Sequence, residues 1–317
     1  MQYIDKQTIE QLLDYPSLIE ALRIGFQEAP TVPPRLHYDF KNPKDKQENT
    51  LLLMPAWQEG ESIGVKLVTV APANQAYGLP SIQGIYILSD AITGELKAIM
   101  DAKTLTNWRT ACASALAASF LAKKDTDTLF MIGCGSLAPY LIRAHAAIRP
   151  IKRVLLWSRD HKNATRLEIE LNKDKNFAIH TVHAIEEGIA EAGILSCATL
   201  SPSPLILGKY LQPGQHIDLV GSYKPTMREA DDEVILRSRV YVDTIAMAPK
   251  ESGDLAIPIQ EGTLRLHDIQ GDLSTLCNGA AQGRVNDQEI TVFKSVGHAL
   301  EDLVAARLVF ERWKKLS

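Results

Sequence analysis

The chain has 317 residues, carries 34 Lys+Arg against 38 Asp+Glu for a formal charge of −4, and is 45% apolar. That length accommodates two compact domains, and a charged fraction of 23% is that of an ordinary globular chain, which excludes disorder and fibrous repeats. A slight acidic excess without a dense Lys/Arg block offers no footprint for nucleic acid or an anionic membrane surface, so neither is an expected partner.

From Asp5 to Ala29, Ile9, Leu12, Leu13, Leu18, Ile19, Leu22 and Phe26 recur at three- and four-residue spacings around Pro16, which predicts two short amphipathic helices. Between Arg35 and Met100 the pattern becomes β-rich, with runs at Thr50–Met54, Gly64–Val70 and Gly84–Ser89, as in an α+β layer. A helix rich in small residues is predicted over Asp101–Ala122, started by Thr104 or Thr106 and linking two domains. Its apolar-and-small stretch stops at Lys123, short of the roughly 20 residues that cross a bilayer. With no basic start or apolar core at Met1–Lys6, the expected location is the cytoplasm.

Thr128–Ile132 reads as a strand running into Gly133-Cys134-Gly135 and then a helix through Ala147. Arg153–Trp157, a charged helix around Asn163–Leu171, and strands at Ile194–Ala198, His216–Val220 and Val240–Val242 follow. This alternation implies α/β architecture, a parallel doubly wound sheet. Thr291–Phe310 reads as a strand end and an amphipathic helix returning to the first domain. Cys112, Cys134, Cys197 and Cys277 are scattered without CxxC spacing, and His180 and His183 have no ligand set around them, so reduced thiols and no metal are expected.

Gly133, Gly135, Ser136, Leu137 and Ala138 spell the GxGxxA form of the dinucleotide fingerprint in its required strand-to-helix context. Gly133 allows the tight turn, Gly135 lets main-chain amides approach a pyrophosphate, and Ala138 lets helix and strand pack closely. A glycine-rich turn with no ligand is the alternative. At the end of the second strand, Ser158 and Arg159 suit a 2′-phosphate, so NADPH is the expected cofactor, with NADH the other possibility. Asp160 is left either to touch ribose or to solvate the turn. Thr199 and Ser222, at strand ends, are candidates for positioning the nicotinamide or a water.

Arg35, Lys66 and Arg109 lie among apolar or small neighbours, and buried cations need anions. They are either separate structural ion pairs or a shared clamp for a substrate carboxylate. Lys66, flanked by Val65, Leu67 and Val68, is also the candidate proton donor, because burial depresses a lysine pKa.

The strings Gly64-Val-Lys66-Leu-Val, Pro72-Ala-Asn74, Gly78-Leu-Pro80, Leu105-Thr-Asn-Trp-Arg109-Thr-Ala111, Val220-Gly-Ser222, Glu251-Ser-Gly-Asp254 and Ile290–Gly297 resemble the ornithine cyclodeaminase/mu-crystallin family over nearly the whole chain. The resemblance implies a Rossmann domain at 113–290, a substrate-binding and dimerisation domain formed by 1–112 and 291–317, a homodimer, and a substrate site lined by Arg35, Lys66 and Arg109. It also implies that cyclodeaminases carry acidic residues where this chain has Tyr223 and Leu52, which cannot hold a second ammonium group. Leu51–Trp57, Ser196–Ser201 and Gly221–Glu229 are most similar to the Δ1-pyrroline-2-carboxylate reductase branch. The expected activity is therefore NAD(P)H-dependent reduction of a small cyclic imino acid, Δ1-pyrroline-2-carboxylate or its six-membered homologue, within proline metabolism and hydroxyproline degradation. Alternatives are a cyclodeaminase, an alanine-dehydrogenase-like enzyme, or a mu-crystallin-type NADPH-dependent binding protein. Asp302 and Glu229 are read as helix or loop charges outside the catalytic set.

Overall fold

The computed structural model describes residues 1–44, 48–173 and 176–316 and divides the chain into two units, Met1–Thr110 with the segment from His298 onward, and Ala111–Gly297. In the first unit, the carboxylates of Asp5 and Asp14 accept from the amides of Thr8 and Ser17 at 2.9 Å. These caps start helices Lys6–Leu12 and Tyr15–Glu28, and Pro16 sits harmlessly in the first turn of the second.

The sheet of this unit has the order β1-β6-β5-β4-β3-β2, with β1 (Gln2–Ile4), β2 (Leu36–Lys41), β3 (Glu48–Gln58), β4 (Ser62–Val70), β5 (Ile82–Asp90) and β6 (Leu96–Asp101). All pairs are antiparallel except β1 with β6. The pattern of apolar runs anticipated the three central strands. It missed the outer ones, because β1 is three residues long, every residue of β2 is exposed, and β6 follows β5 after a short turn.

Alternation sends Met54, Gly64, Lys66, Tyr86 and Met100 to one face of this sheet. The C-terminal helix, Ala299–Lys314, packs there against β3, β4 and β5 and against helix Tyr15–Glu28. The fit between the two helices is tight, since a Cβ on Gly25 would lie 2.4 Å from Val304. The opposite face carries Leu53, Pro55, Trp57, Ile63, Val65, Leu67, Ile85 and Ile87, all only partly buried.

The second unit holds eight parallel strands: β7 (Thr128–Ile132), β8 (Arg153–Trp157), β9 (Ala178–Thr181), β10 (Ile194–Cys197), β11 (His216–Leu219), β12 (Ser238–Val242), β13 (Ile269–Asp272) and β14 (Ile290–Lys294). Their order, β13-β12-β14-β11-β10-β7-β8-β9, is doubly wound and changes direction between β7 and β10. The division between units differs from the sequence expectation at 290/291: β14 is buried along its length and pairs with both β11 and β12, so the chain leaves this unit only after Gly297. The four cysteines are free and buried. Among the described residues, no helix is long and apolar enough to cross a membrane and no cluster of His, Cys, Asp and Glu is arranged to hold a metal ion.

Candidate active site

In the second unit, β7 ends in a turn that only glycine can make. Gly133 has φ +96°, and a Cβ there would lie 2.6 Å from the carbonyl oxygen of Ala198, at the neighbouring end of β10. Gly135 is open, with no atom within 4 Å of the position a Cβ would take. Helix Ala138–Ile148 then begins at Leu137 with no side-chain cap. The amides of Gly135, Ser136 and Leu137 have no acceptor among the described residues. Uncapped amides, a helix N-terminus and open space at the strand-order reversal fit the pyrophosphate of a dinucleotide.

Asp160, in the turn after β8, has a structural role. Its carboxylate accepts from the Lys162 amide at 3.0 Å and caps helix His161–Leu171. Ser158 is buried at the strand end and Arg159 is exposed beside it. One oxygen of the Asp160 carboxylate is thus engaged in the cap, and the Arg159 guanidinium stands exposed beside it.

Thr199 and Ser222 have their hydroxyls turned inward. Thr199 Oγ1 donates to Glu229 at 2.8 Å, and Ser222 Oγ donates to the Met227 carbonyl at 2.6 Å. Contacts to a nucleotide would fall to their other atoms. Glu229, read from sequence as a loop charge, is fully buried and also accepts from the amides of Thr199, Gly221 and Ser222. Asp254 receives the amides of Glu229 and Ala230, and Lys294 lies 3.4 Å from Asp254 while donating to the Leu219 carbonyl. Burial raises the Glu229 carboxyl, with Lys294 opposing. This network ties the ends of β10 and β11 to the 221–229 loop. Sequence spacing carried no signal for it, because Glu229 and Thr199 are 30 residues apart.

The first unit brings Lys66 and Arg109 together on a single carboxylate. Lys66 Nζ lies 2.7 Å from Asp302 Oδ2 and 3.0 Å from Oδ1, with Thr106 Oγ1 at 3.4 Å. Arg109 donates from Nε to Asp302 at 3.0 Å and from Nη1 to Glu301 at 2.6 Å. All four charged residues are 5% exposed or less. Asp302 was expected to be an ordinary helix charge; instead it is the hub of the cluster. The missed signal was the adjacent pair Glu301-Asp302 at the start of an apolar helix face, where a carboxylate has to be buried.

Burial, with help from Arg109, pulls the Lys66 ammonium down to about 8 against the opposing pull of Asp302. Burial would raise the Asp302 carboxyl, but Arg109 and Lys66 outweigh it and hold it low. For Arg109, burial is outweighed by Asp302 and Glu301, so the guanidinium stays charged. Arg35, just before β2, is partly buried and near enough for its charge to reach Lys66. Lys66 and Arg109 are thus paired with Asp302 and Glu301, and Arg35 adds a third positive charge nearby. Arg109 Nη2 has no acceptor among the described residues. An unused guanidinium N–H in a cluster of cations suits a carboxylate ligand. Leu52, two residues from Met54 on the same face of β3, gives the neighbourhood an apolar side chain where a second ammonium would need charge.

The ornithine cyclodeaminase/mu-crystallin family model matches residues 5–317. A Δ1-pyrroline-2-carboxylate reductase of Colwellia psychrerythraea is 35% identical over 98% of this chain and 99% of its own length. The structure of Thermococcus litoralis Δ1-pyrroline-2-carboxylate reductase in complex with NADH and L-proline superposes with a TM-score of 0.93 at 32% identity, covering 100% of this chain and 98% of that one. An archaeal alanine dehydrogenase dimer with bound NAD gives 0.90 at 26% identity, over 99% of this chain and 97% of that one.

Proposed function

We propose that this chain, which belongs to the ornithine cyclodeaminase/mu-crystallin family, is an NAD(P)H-dependent imine reductase that converts Δ1-pyrroline-2-carboxylate to L-proline. The observation that carries the reading is the buried Lys66–Arg109 cluster with its unused donor at Arg109 Nη2, which suits one carboxylate, beside an apolar Leu52 that offers nothing to a second amine. The likeness to a reductase solved with NADH and L-proline supports the same substrate class.

Arg109 and Arg35 bind the carboxylate and so fix the ring, which makes orientation the main contribution of these two groups. A dinucleotide held at the Gly133–Ala138 turn would, when bound in its reduced form, supply hydride for C2 of the C=N bond. Lys66 holds a proton at Nζ for the ring nitrogen, which gains it as the double bond is reduced. A value of about 8 keeps that proton in place near neutrality yet lets it leave readily. Asp302 orients Lys66 and Arg109 without taking part in the proton transfer.

We assign substrate binding and dimerisation to the first unit and nucleotide binding to the second. NADPH is the proposed donor, because buried Ser158 and exposed Arg159 at the end of β8 suit a 2′-phosphate, while Asp160 engages one oxygen in a helix cap. The partly buried apolar face of β3, β4 and β5 supports a homodimer, as does the dimeric alanine dehydrogenase neighbour. Four buried thiols fit a reducing compartment, and we assign the protein to the cytoplasm.

The test compares NADPH and NADH oxidation with Δ1-pyrroline-2-carboxylate, Δ1-piperideine-2-carboxylate and pyruvate plus ammonia, alongside ornithine conversion to proline and ammonia. Fastest turnover of the five-membered imine is expected. Faster ornithine turnover would overturn the reading in favour of a cyclodeaminase, and tight NADPH binding without any turnover would favour a binding protein.

A further inference from the structure

The face of β4 and β5 that carries Lys66 also buries a phenol. Tyr86 stands directly across from Lys66 in the β4–β5 register, and it is 0% exposed. Its hydroxyl makes no hydrogen bond among the described residues. The position is enforced by a missing side chain: a Cβ on Gly64 would lie 1.8 Å from the Tyr86 hydroxyl oxygen and 3.0 Å from Leu303 Cδ1. Any larger residue at 64 would expel the phenol, so the strand is shaped around that oxygen. Ser62, on the same face two residues away, is a second buried hydroxyl without a partner.

A buried hydroxyl seldom stays unpaired, and a site with two to four polar neighbours is where an internal water settles. Burial and the nearby Asp302 charge hold the phenol far above its ordinary value, so it is a donor at every working pH. Asp302 Oδ2 is likewise buried with no hydrogen bond among the described residues, although Lys66 Nζ stands 2.7 Å away, and its charge reaches the phenol. We infer that a buried water joins the Tyr86 hydroxyl to the Asp302 carboxylate, which makes Tyr86 a positioning residue for the Lys66–Asp302 pair. The role in catalysis rests on the function proposed above; the link itself does not.

The bridge withdraws part of the Asp302 charge from Lys66. The other charged groups facing Lys66 are Arg109 and Glu301 with Asp302 from the two helices, and Arg35 from the segment before β2. None of these changes in Tyr86→Phe, so the loss of the phenol leaves Lys66 a stronger anion beside it. Lys66 should then hold its proton more tightly.

The experiment is a lysine-selective 15N NMR titration of Nζ in the full chain, with the Lys66 signal assigned by its loss in Lys66→Arg. Tyr86→Phe should raise the Lys66 midpoint by about half a pH unit, and the alkaline limb of kcat/KM should move up equally. A midpoint unchanged to within about a tenth of a unit would overturn the link and leave Tyr86 as core packing. A crystal structure of the unaltered protein decides the matter without a variant: ordered density between Tyr86 and Asp302 supports the bridge, and its absence contradicts it. If the unaltered enzyme reduces no imine, the proposed function fails while the titration still decides the role of Tyr86.

Discussion

Each unit buries a lysine against two acids, and the two clusters resolve their charge in opposite ways. In the second unit, Glu229 and Asp254 outnumber Lys294, and the excess negative charge is absorbed by main-chain amides of residues 199, 221, 222, 229 and 230. Lys294 is likewise spent on the Leu219 carbonyl. In the first unit, Lys66 and Arg109 bond only to side chains, and Arg109 keeps one donor, Nη2, without an acceptor among the described residues. A buried ion cluster saturated by backbone is a scaffold, because nothing is left for a ligand to satisfy. A cluster of charged side chains with an unused donor is suited to a ligand.

The contrast predicts where substitutions hurt catalysis and where they hurt folding. The largest effect is expected for Lys66→Met, which removes the proton and one cation together: kcat/KM for Δ1-pyrroline-2-carboxylate should fall about a thousandfold, with NADPH affinity measured by fluorescence little changed. Equal loss of nucleotide binding would erase the distinction between the units. Arg109→Lys keeps the charge and loses the fork, so KM should rise about a hundredfold. Steady-state kinetics with an unaltered KM would show that the carboxylate binds elsewhere.

Arg159→Ala tests the second unit at its ligand edge. NADPH should weaken by about tenfold or more while NADH changes little; equal weakening of both contradicts the 2′-phosphate assignment. Glu229→Gln tests the scaffold: the melting temperature should drop by about 5 °C or more, while KM for the imine stays within about twofold. A large KM effect with unchanged melting would move Glu229 from scaffold to site.

The pH dependence sharpens the comparison further. The folded value of about 8 for Lys66 lies below its ordinary 10.5, so the unfolded chain binds more protons between those values. The stability contribution of Lys66 therefore increases as pH rises through that window. Activity should move the other way, falling above about 8 as the proton is lost. Calorimetry should show the unaltered protein gaining stability relative to Lys66→Met from pH 8 toward 10.5. A difference independent of pH would mean that Lys66 titrates as an ordinary lysine.

What the sequence revealed depended on distance along the chain. The Gly133–Ala138 turn was legible because strand, turn and helix follow one another within a dozen residues, and Lys66 and Arg109 stood out as cations in apolar strings. Their partners could not be read, since Asp302 and Glu301 lie 236 and 192 residues from Lys66 and Arg109. The inward turn of the Thr199 and Ser222 hydroxyls was hidden for the same reason: it depends on Glu229 and Met227 folding back over the strand ends. Strand β14 was assigned to the wrong side of the boundary because a five-residue apolar run does not say which sheet it enters.

The most direct measurement follows a deuteride from NADPH deuterated at the transferring position. Incubated with Δ1-pyrroline-2-carboxylate and this protein, it should yield proline with deuterium at C2, as read by mass spectrometry, and the label should disappear in Lys66→Met together with turnover. Unlabelled proline formed from ornithine, or nucleotide left intact beside the imine, would contradict hydride transfer to a carboxylate-anchored imine.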